Sequence, residues 1–300
     1  KKGQKFTFDL DNKPGNNLRV CLPHKEIFES LSANTIILIN DGKIKMQIIE
    51  QSEKKLIAEV LNDGEISDNK GINIPDAILP ISSLTSKDES DLSKALEMGV
   101  DWIAQSFVQT VSDVKKLRKM VNKNTSIMAK IEKPSAVKNI EEITEEADGI
   151  MIARGDLGVE LPPENVPSIQ KKIINRCRVK GKPVVVATQM LESMINNSTP
   201  TRAEASDVAN AIYDGSDAVM LSAESAIGEF PVETVTIMNK IIESVENDKE
   251  NYNLSFKNQV DNPVKINTTD AITSAAFTIS QNSGSKAIIT FSVSGKTTSR

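Results

Sequence analysis

The chain has 300 residues, with 39% apolar and 26% charged side chains and a formal net charge of −5. This composition excludes disordered, collagen-like and membrane-spanning chains, and the length suggests about two domains or one large α/β barrel. The acidic balance argues against a nucleic-acid partner, because backbone phosphates are bound by clustered Lys and Arg.

The cysteines and the lengths of the apolar runs indicate the cellular compartment of the protein. Cys21 and Cys177 are the only two cysteines and lie far apart, so we expect neither a disulfide framework nor a cysteine-bound metal. No run of 18 apolar residues occurs and the first residues lack the apolar stretch of a signal peptide, so no membrane partner is expected. A reducing, cytoplasmic setting fits best.

Residues 1–74 carry the pattern of a small β domain, which we call the β domain. Short runs rich in β-branched residues alternate with turn sequences rich in Asn, Asp and Gly, and the runs cover residues 5–9, 35–39, 44–49 and 55–60. Several short strands at regular spacing predict a small barrel or sandwich. Two prolines, Pro75 and Pro80, mark the boundary that follows.

From Ser82 onward the pattern changes to five successive β-then-α units. A capping-box spacing from Ser86 to Glu89 opens the first helix. The predicted strands cover residues 100–107, 126–132, 148–155, 183–190 and 217–224. They are almost continuously apolar, which is typical of buried parallel strands.

Polar side chains enter each of these strands only at its end. They are Ser106, Lys130, Glu132, Arg154, Asp156, Thr188, Gln189, Ser222 and Glu224. In a (β/α)₈ barrel the reactive groups lie at the C-terminal ends of the strands, so this pattern predicts one shared site. It favours a barrel over a doubly wound sheet, and neither glycine-rich nucleotide fingerprint is present.

The remaining organisation follows from counting units. A closed barrel needs eight strands, so three units are expected ahead of the five, and the barrel is predicted to end near residue 246 with a helix that starts at Pro231. Residues 247–261 read as a linker. Residues 262–300 open another α/β domain, with a helix over 269–282 and a strand over 286–291. Without an initiating Met, and with a stop just after a predicted strand, both termini are expected to be fragment ends.

Three charged residues are candidates for a catalytic or metal-binding role. Lys130 and Glu132 are two apart and therefore project to the same side of a strand, as a salt bridge or as part of a site. Asp156 ends the next strand beside Gly155, either as a helix N-cap or as a ligand. Two carboxylates from neighbouring strand ends suit Mg²⁺, and Lys130 would be a fixed cation for a transferring phosphoryl group or an enolate.

Two other residues have simpler expectations. His24, the only histidine, lies in a loop pattern and is expected to be a loop residue rather than a catalytic base. Trp102 lies in a buried-strand pattern and is expected to pack in the core.

Five long segments closely resemble pyruvate kinases. They are MAKIE at 128–132, DGIMIARGDLGVE at 148–160, GKPVVVATQMLESM at 181–194, PTRAEASDVAN at 200–210 and VMLSAESAIGEFP at 219–231. The resemblance runs in order along the whole chain. It implies a (β/α)₈ barrel with a small β-barrel lid inserted after the third strand and a C-terminal α/β regulatory domain. Residues 1–74 would be the lid, 75–246 the later barrel units and 262–300 the start of the C-terminal domain.

The resemblance also implies a reaction, the final step of glycolysis. The phosphoryl group of phosphoenolpyruvate would pass to ADP, giving ATP and, through an enolate, pyruvate. Glu132 and Asp156 match the ligands of Mg²⁺ or Mn²⁺, and Lys130 matches the group that stabilises the transition state. The backbone N–H groups of Gly155 and Asp156 would hold the substrate carboxylate.

Further roles carry over from the same resemblance. Thr188 matches the threonine near the methylene carbon of the enolate, where a proton is delivered through water. Ser222 and Glu224 match polar groups of that proton relay, although a solvated strand end would explain them equally well. Lys70 resembles the lysine that reaches the nucleotide phosphates, with a solvated surface lysine as the alternative. Residues 292–298 resemble a turn that holds a sugar-phosphate effector in some relatives, whereas many relatives carry a similar turn without that regulation.

Two departures from the family pattern matter. Its K⁺ site and a substrate-facing arginine belong to strands ahead of the lid that are not in this sequence, so this chain alone is expected to be inactive. Ala223 stands where many relatives have glycine, a change of one methyl group that affects only the detailed geometry expected for the Ser222 and Glu224 relay. The family is typically a homotetramer, a state that nothing in the residue spacing shows.

Two alternatives stay open. A metal-dependent aldolase or lyase barrel also stabilises an enolate, and a non-catalytic scaffold would keep the fold. ADP binding that requires the metal and residues 1–74 would exclude the lyase. The intact set of Lys130, Glu132, Asp156 and Thr188 argues against the scaffold.

Overall fold

The structure is a computed structural model that describes residues 1–40, 42–68, 70–75, 84–248 and 268–291. The chain divides into two compact units. The first holds the described residues of Lys1–Ile143 and Ala153–Pro167, and the second those of Thr144–Ile152 and Ser168–Arg300.

The β domain in the first unit is a six-stranded sheet with one short helix. Its elements are β1 (Lys5–Asp9), β2 (Arg19–Cys21), α1 (Lys25–Ser30), β3 (Ile36–Ile39), β4 (Ile44–Ser52), β5 (Lys55–Val60) and β6 (Ile72–Asn73). The strand order is β2-β1-β5-β4-β3-β6, in which β1 and β2 are parallel and the other pairs antiparallel. The four predicted strands are confirmed, whereas β2, β6 and α1 were not predicted.

The core of the β domain follows from alternation along the strands. Successive side chains of a strand point to opposite faces, so every second residue is buried. In β1 these are Phe6 and Phe8, whose rings pack edge to face with centroids 5.4 Å apart. The predicted turn between β3 and β4 uses left-handed backbone at Asn40 (φ 54°) and Gly42 (φ 79°), residue types that tolerate it.

The β/α part contains five strands, each at a predicted position. Its elements are α2 (Ser86–Glu97), β7 (Trp102–Gln105), α3 (Val111–Arg118), β8 (Ser126–Ile131), α4 (Pro134–Lys138), α5 (Ile140–Glu146), β9 (Gly149–Ala153), α6 (Arg154–Glu160), α7 (Val166–Lys180), β10 (Val184–Ala187), α8 (Arg202–Tyr213), β11 (Ala218–Met220), α9 (Ala223–Ala226) and α10 (Pro231–Asn247). Short 3₁₀ turns lie at Pro163–Asn165 and Glu192–Ile195.

The strand order of the second sheet is β11-β10-β9-β8-β7. The pairs β7–β8 and β10–β11 are parallel, with Trp102 opposite Ser126 and Val185 opposite Ala218. Parallel strands that follow one another in chain order with helical crossovers are the architecture of a (β/α)₈ barrel, as the sequence predicts. Every residue of β9 is buried, which accounts for its continuous apolar run.

Three expectations need correction. The capping box of α2 is formed by Thr85 and Asp88 rather than by Ser86 and Glu89, because Thr85 accepts from the Asp88 N–H while the Asp88 carboxylate accepts from Thr85. Trp102, the first residue of β7, is 43% exposed rather than buried, because among the described residues β7 has a partner strand on one side only.

The third correction concerns the C-terminal part. The predicted helix over 269–282 is confirmed as α11 (Thr268–Ser283), but residues 286–291 form no strand. Their side chains are exposed, as at Phe291, and a strand needs a neighbour to pair with, which the described residues do not provide.

Several predictions fall outside the described residues. These are the boundary segment at 76–83, most of the linker at 247–261 and the turn at 292–298. The four-part domain division therefore stays a prediction. Among the helices that the structure describes, none is long and apolar enough to cross a membrane.

Candidate active site

The end of β8 places Lys130 and Glu132 on the same side of the strand, as their spacing predicts. Lys130 Nζ lies 2.6 Å from Glu132 Oε1, and the Glu132 side chain is only 1% exposed. Lys130 Nζ also donates to Ser106 Oγ at 2.8 Å, a residue that follows β7. The salt bridge considered from the sequence is thus present, and it lies where two neighbouring strands end.

The second oxygen of Glu132 is held by the backbone. Phe107 N–H donates to Glu132 Oε2 at 2.6 Å. Phe107 has left-handed backbone (φ 54°), a conformation that costs a non-glycine residue about 1 kcal/mol or more and that clusters at functional sites. Sequence reasoning missed this contact, since nothing in the residue type of Phe107 signals it.

The carboxylates of Glu132 and Asp156 can be compared with the oxygen ligands that a hard cation requires. Each Glu132 oxygen has one protein donor, and a carboxylate oxygen offers two lone pairs, so acceptor capacity remains. Asp156 is half-buried. In the part of the chain that the structure describes, no group of three or more His, Cys, Asp or Glu side chains could hold a metal ion. Mg²⁺ accepts a ligand set of two carboxylates in which water and substrate oxygens complete the coordination shell.

Gly155 and Asp156 lie in the first turn of α6, which starts directly after β9. The N-cap of α6 is Ala153, without a side-chain cap, so the alternative that Asp156 is an N-cap is wrong. The first turn of a helix lies at the positive end of the helix dipole, which favours an anion. Both residues are half-buried, which leaves access for a small ligand.

The far end of α6 carries a second buried ion pair. Lys133 Nζ and Asn73 Nδ2 both donate to Glu160 Oε1, the latter at 2.9 Å, and the Glu160 side chain is 1% exposed. This network was missed from the sequence, where Glu160 is only the last residue of a resembling segment.

Lys70 lies in the β domain, exposed, three residues before Asn73. It lines a cleft of about 1950 Å³ in the first unit, together with Ser106, Phe107 and Lys133. His24 lines the same cleft from the loop before α1, as expected of a loop residue.

In the second unit, Thr188 follows β10 directly. Thr188 (φ 69°) and Gln189 (φ 54°) both have left-handed backbone. This conformation is rare for a β-branched residue such as threonine. Thr188 is half-buried, and its Oγ1 donates to the Ala187 carbonyl at 2.6 Å. Backbone held in this way at a strand end is typical of a functional site.

Ser222 and Glu224 follow β11 in the same unit. Glu224 is 2% exposed, so the alternative of a solvated strand end is wrong for it. Its Oε1 accepts from Leu191 N–H at 3.2 Å and its Oε2 from Ser222 N–H at 2.8 Å. Glu224 therefore ties the backbone after β11 to the segment just beyond Thr188. Ser222 is half-buried.

These strand ends define a protein of the α/β barrel class that also has a β domain, and cationic, acidic or hydroxyl side chains follow the individual strands. The family model described as "Pyruvate kinase, barrel domain" matches residues 1–235. The chain belongs to the pyruvate kinase family.

Individual relatives agree along the whole chain. A pyruvate kinase from Agrobacterium vitis is 49% identical over 300 residues, which is 100% of this chain and 62% of the relative. A pyruvate kinase from Methylorubrum extorquens is 48% identical over 298 residues, 99% of this chain and 62% of the relative. A crystal structure of a pyruvate kinase from Cryptosporidium parvum matches with a TM-score of 0.89 and 37% identity, covering 100% of this chain and 63% of that one. The chain thus spans less than two thirds of the length of these relatives.

Proposed function

We propose that this chain carries the site at which the phosphoryl group of phosphoenolpyruvate is transferred to ADP, giving ATP and pyruvate. The observation that carries the proposal is the buried Lys130–Glu132 pair after β8, fixed by Ser106 Oγ and Phe107 N–H. Family membership supports it. A cation held rigidly in a desolvated place stabilises charge that develops during transfer more strongly than one in water.

Glu132 and Asp156 would hold a divalent cation, Mg²⁺ or Mn²⁺, and their donor set fits one. When bound, that cation supplies Lewis-acid stabilisation of the enolate oxygen. The chain itself does three things around it. Lys130 compensates negative charge, the Gly155 and Asp156 N–H groups bind the substrate carboxylate, and the absence of a Cβ at Gly155 permits close approach.

Thr188 would face the methylene carbon of the enolate and orient the water that delivers a proton. A threonine hydroxyl is too weak an acid to act alone. Ser222 and Glu224 complete the relay. Glu224 does so by fixing Ser222 and Leu191 through the two N–H contacts described above.

The nucleotide would be held by Lys70. Its exposure and its place in the cleft leave the ammonium able to reach a phosphate. The proposal further includes K⁺ as a cofactor, bound by family segments outside this sequence, a cytoplasmic location for this glycolytic step and a homotetrameric assembly. A sugar-phosphate effector at residues 292–298 belongs to it as well.

The test is a ³¹P NMR experiment on a form of the protein that spans the full length of its relatives. Phosphoenolpyruvate, ADP and Mg²⁺ are mixed, and we expect the phosphoenolpyruvate signal to fall as the γ-phosphate of ATP appears in equal amount. A metal-dependent lyase would leave ADP unchanged and would cleave or form a carbon–carbon bond instead. Absence of ATP from a folded protein that still binds Mg²⁺ would refute the proposal.

A further inference from the structure

Glu160 joins three segments of the first unit at one buried carboxylate. It is the last residue of α6, the helix that begins with the Gly155–Asp156 turn. Its Oε1 accepts from Lys133, which directly follows Glu132, and from Asn73 in β6 at 2.9 Å. The β domain, the end of β8 and α6 are therefore tied to the same oxygen atom.

A second contact between the β domain and α6 lies beside the first. A Cβ placed on Gly42, in the turn between β3 and β4, would lie 3.6 Å from Val159 Cγ1. Val159 precedes Glu160 in the last turn of α6. The turn that contains Gly42 thus lies near the same helical turn that Asn73 reaches through a hydrogen bond to a charged group.

The other oxygen of this carboxylate has spare capacity. Glu160 Oε2 is buried, and among the residues that the structure describes no donor lies within hydrogen-bonding distance. A buried carboxylate oxygen without a donor costs free energy, so it is unexpected in a purely structural ion pair.

The positions of Asn73 and Glu160 in the chain connect their contact to the proposed nucleotide and metal ligands. Lys70, the proposed nucleotide ligand, lies three residues before Asn73, whereas Asp156, the proposed metal ligand, lies one helical turn before Glu160. Fixing Asn73 on Glu160 therefore fixes the segment that carries Lys70 relative to the helix that carries Asp156.

We propose that Glu160 is a positioning residue, which anchors the β domain on α6 and thereby places Lys70 for the nucleotide. The inference rests on the proposed function for its consequence in catalysis, but the contact itself can be tested separately. A hydrogen bond to a charged acceptor that joins two segments contributes coupling that a double-mutant comparison detects.

The first arm uses hydrogen–deuterium exchange of the full chain without substrate or metal. Asn73→Ala is expected to raise exchange about tenfold at the Leu161 N–H, which bonds to the Leu157 carbonyl in the last turn of α6. Asn62→Ala is the matched control, because the hydrogen bonds that the structure describes for Asn62 lie within the β domain, to Lys43, Lys45 and Asp63. Equal effects of the two variants on this amide would overturn the anchor.

The second arm uses a swap, measured in the form of the protein that spans the full length of the relatives. Asn73→Asp alone places two carboxylates together and is expected to raise the KM for ADP about tenfold with little change in kcat. Adding Glu160→Gln reverses the polarity of the contact, since the Gln amide can donate to the new Asp, and should recover most of the loss. Failure of the swap to recover the KM, in a variant that folds, would overturn the positioning role. Absence of turnover in the unmodified protein would instead refute the proposed function, and the exchange arm would still decide whether Glu160 is the anchor.

Discussion

Lys130 and Glu132 are two residues apart, yet the contacts around them predict different defects when each is changed. Lys130 Nζ bonds to Glu132 and to Ser106. Each Glu132 oxygen accepts one hydrogen bond and the side chain is almost fully buried, so Glu132 supports the local backbone as well as the proposed metal.

Lys130→Met removes the cation and keeps most of the side-chain volume. We expect kcat to fall about 10³-fold while metal-dependent binding of phosphoenolpyruvate changes little, because the charge it neutralises develops mainly in the transition state. Steady-state kinetics and a direct binding titration, both on one preparation of the form that spans the full length of the relatives, check this. Near-normal turnover would remove Lys130 from the mechanism.

Glu132→Gln keeps the shape and loses the charge. The Mg²⁺ concentration for half-maximal activity is expected to rise by about tenfold or more, because one of two anionic ligands is lost. A Mg²⁺ titration of initial rates measures it, with Glu89→Gln as a control at an exposed acidic residue of the same unit. An unchanged titration would mean that Asp156 and other groups hold the ion without Glu132.

The two cysteines are expected to differ in reactivity. Cys177 is fully buried in α7, and burial raises the pKa of its thiol to about 12, so almost no thiolate is present at neutral pH. Cys21 is half-buried at the end of β2. A chromogenic disulfide reagent should therefore titrate one thiol in the native protein and two after unfolding. Two thiols reacting at similar rates in the native protein would contradict this burial.

At the scale of single elements, the start of α8 is organised by one carboxylate. Glu204 accepts from the Thr201 N–H at 2.8 Å in a capping box and from the Ser193 N–H at 2.7 Å, which ties the helix to the preceding 3₁₀ turn. Burial raises the pKa of Glu204, but these hydrogen bonds outweigh it and leave the pKa below its ordinary value.

A pH dependence follows from that direction. A depressed pKa means that Glu204 stabilises the folded state above its ordinary value of 4.5, and that the contribution is lost as the pH falls through the lowered value. Glu204→Gln should cost about 1 to 2 kcal/mol in free energy of unfolding at pH 7. The difference should shrink between about pH 5 and pH 3.

Urea unfolding at several pH values measures it, with Glu192→Gln, an exposed neighbour in the 3₁₀ turn, as the matched control. A difference between Glu204→Gln and the unmodified protein that stays constant over this pH range would contradict the assignment.

Elements were predictable where one local signal sufficed. Alternating apolar residues between Asn-Asp-Gly turns predict β4 and β5, and a continuous apolar run predicts β9. The strands β2 and β6 have only three and two residues, and they form because neighbouring strands offer partners, which no local pattern reveals.

The contacts of the candidate site also divide into those that a local pattern predicts and those that it does not. The Lys130–Glu132 pair follows from strand alternation alone. The Phe107 contact to Glu132 and the Asn73 contact to Glu160 join residues 25 and 87 positions apart, so they depend on how segments pack.

At the scale of the whole molecule, the chain is a pyruvate kinase family member that spans about 62% of the length of the relatives it matches. The candidate groups lie in both compact units. Lys130, Glu132 and Asp156 belong to the first unit, and Thr188 and Glu224 to the second. Because the chain spans only part of the length of its relatives, the activity has to be measured on a form that spans their full length.

The most direct measurement is the rate of pyruvate formation from phosphoenolpyruvate and ADP in that form, with Mg²⁺ and K⁺ each omitted in turn and with Lys130→Met in parallel. We predict pyruvate formation that is abolished without Mg²⁺, reduced without K⁺ and lowered about 10³-fold by Lys130→Met. Folded protein that binds Mg²⁺ yet forms no pyruvate, or that forms it equally well without Lys130, would contradict the account.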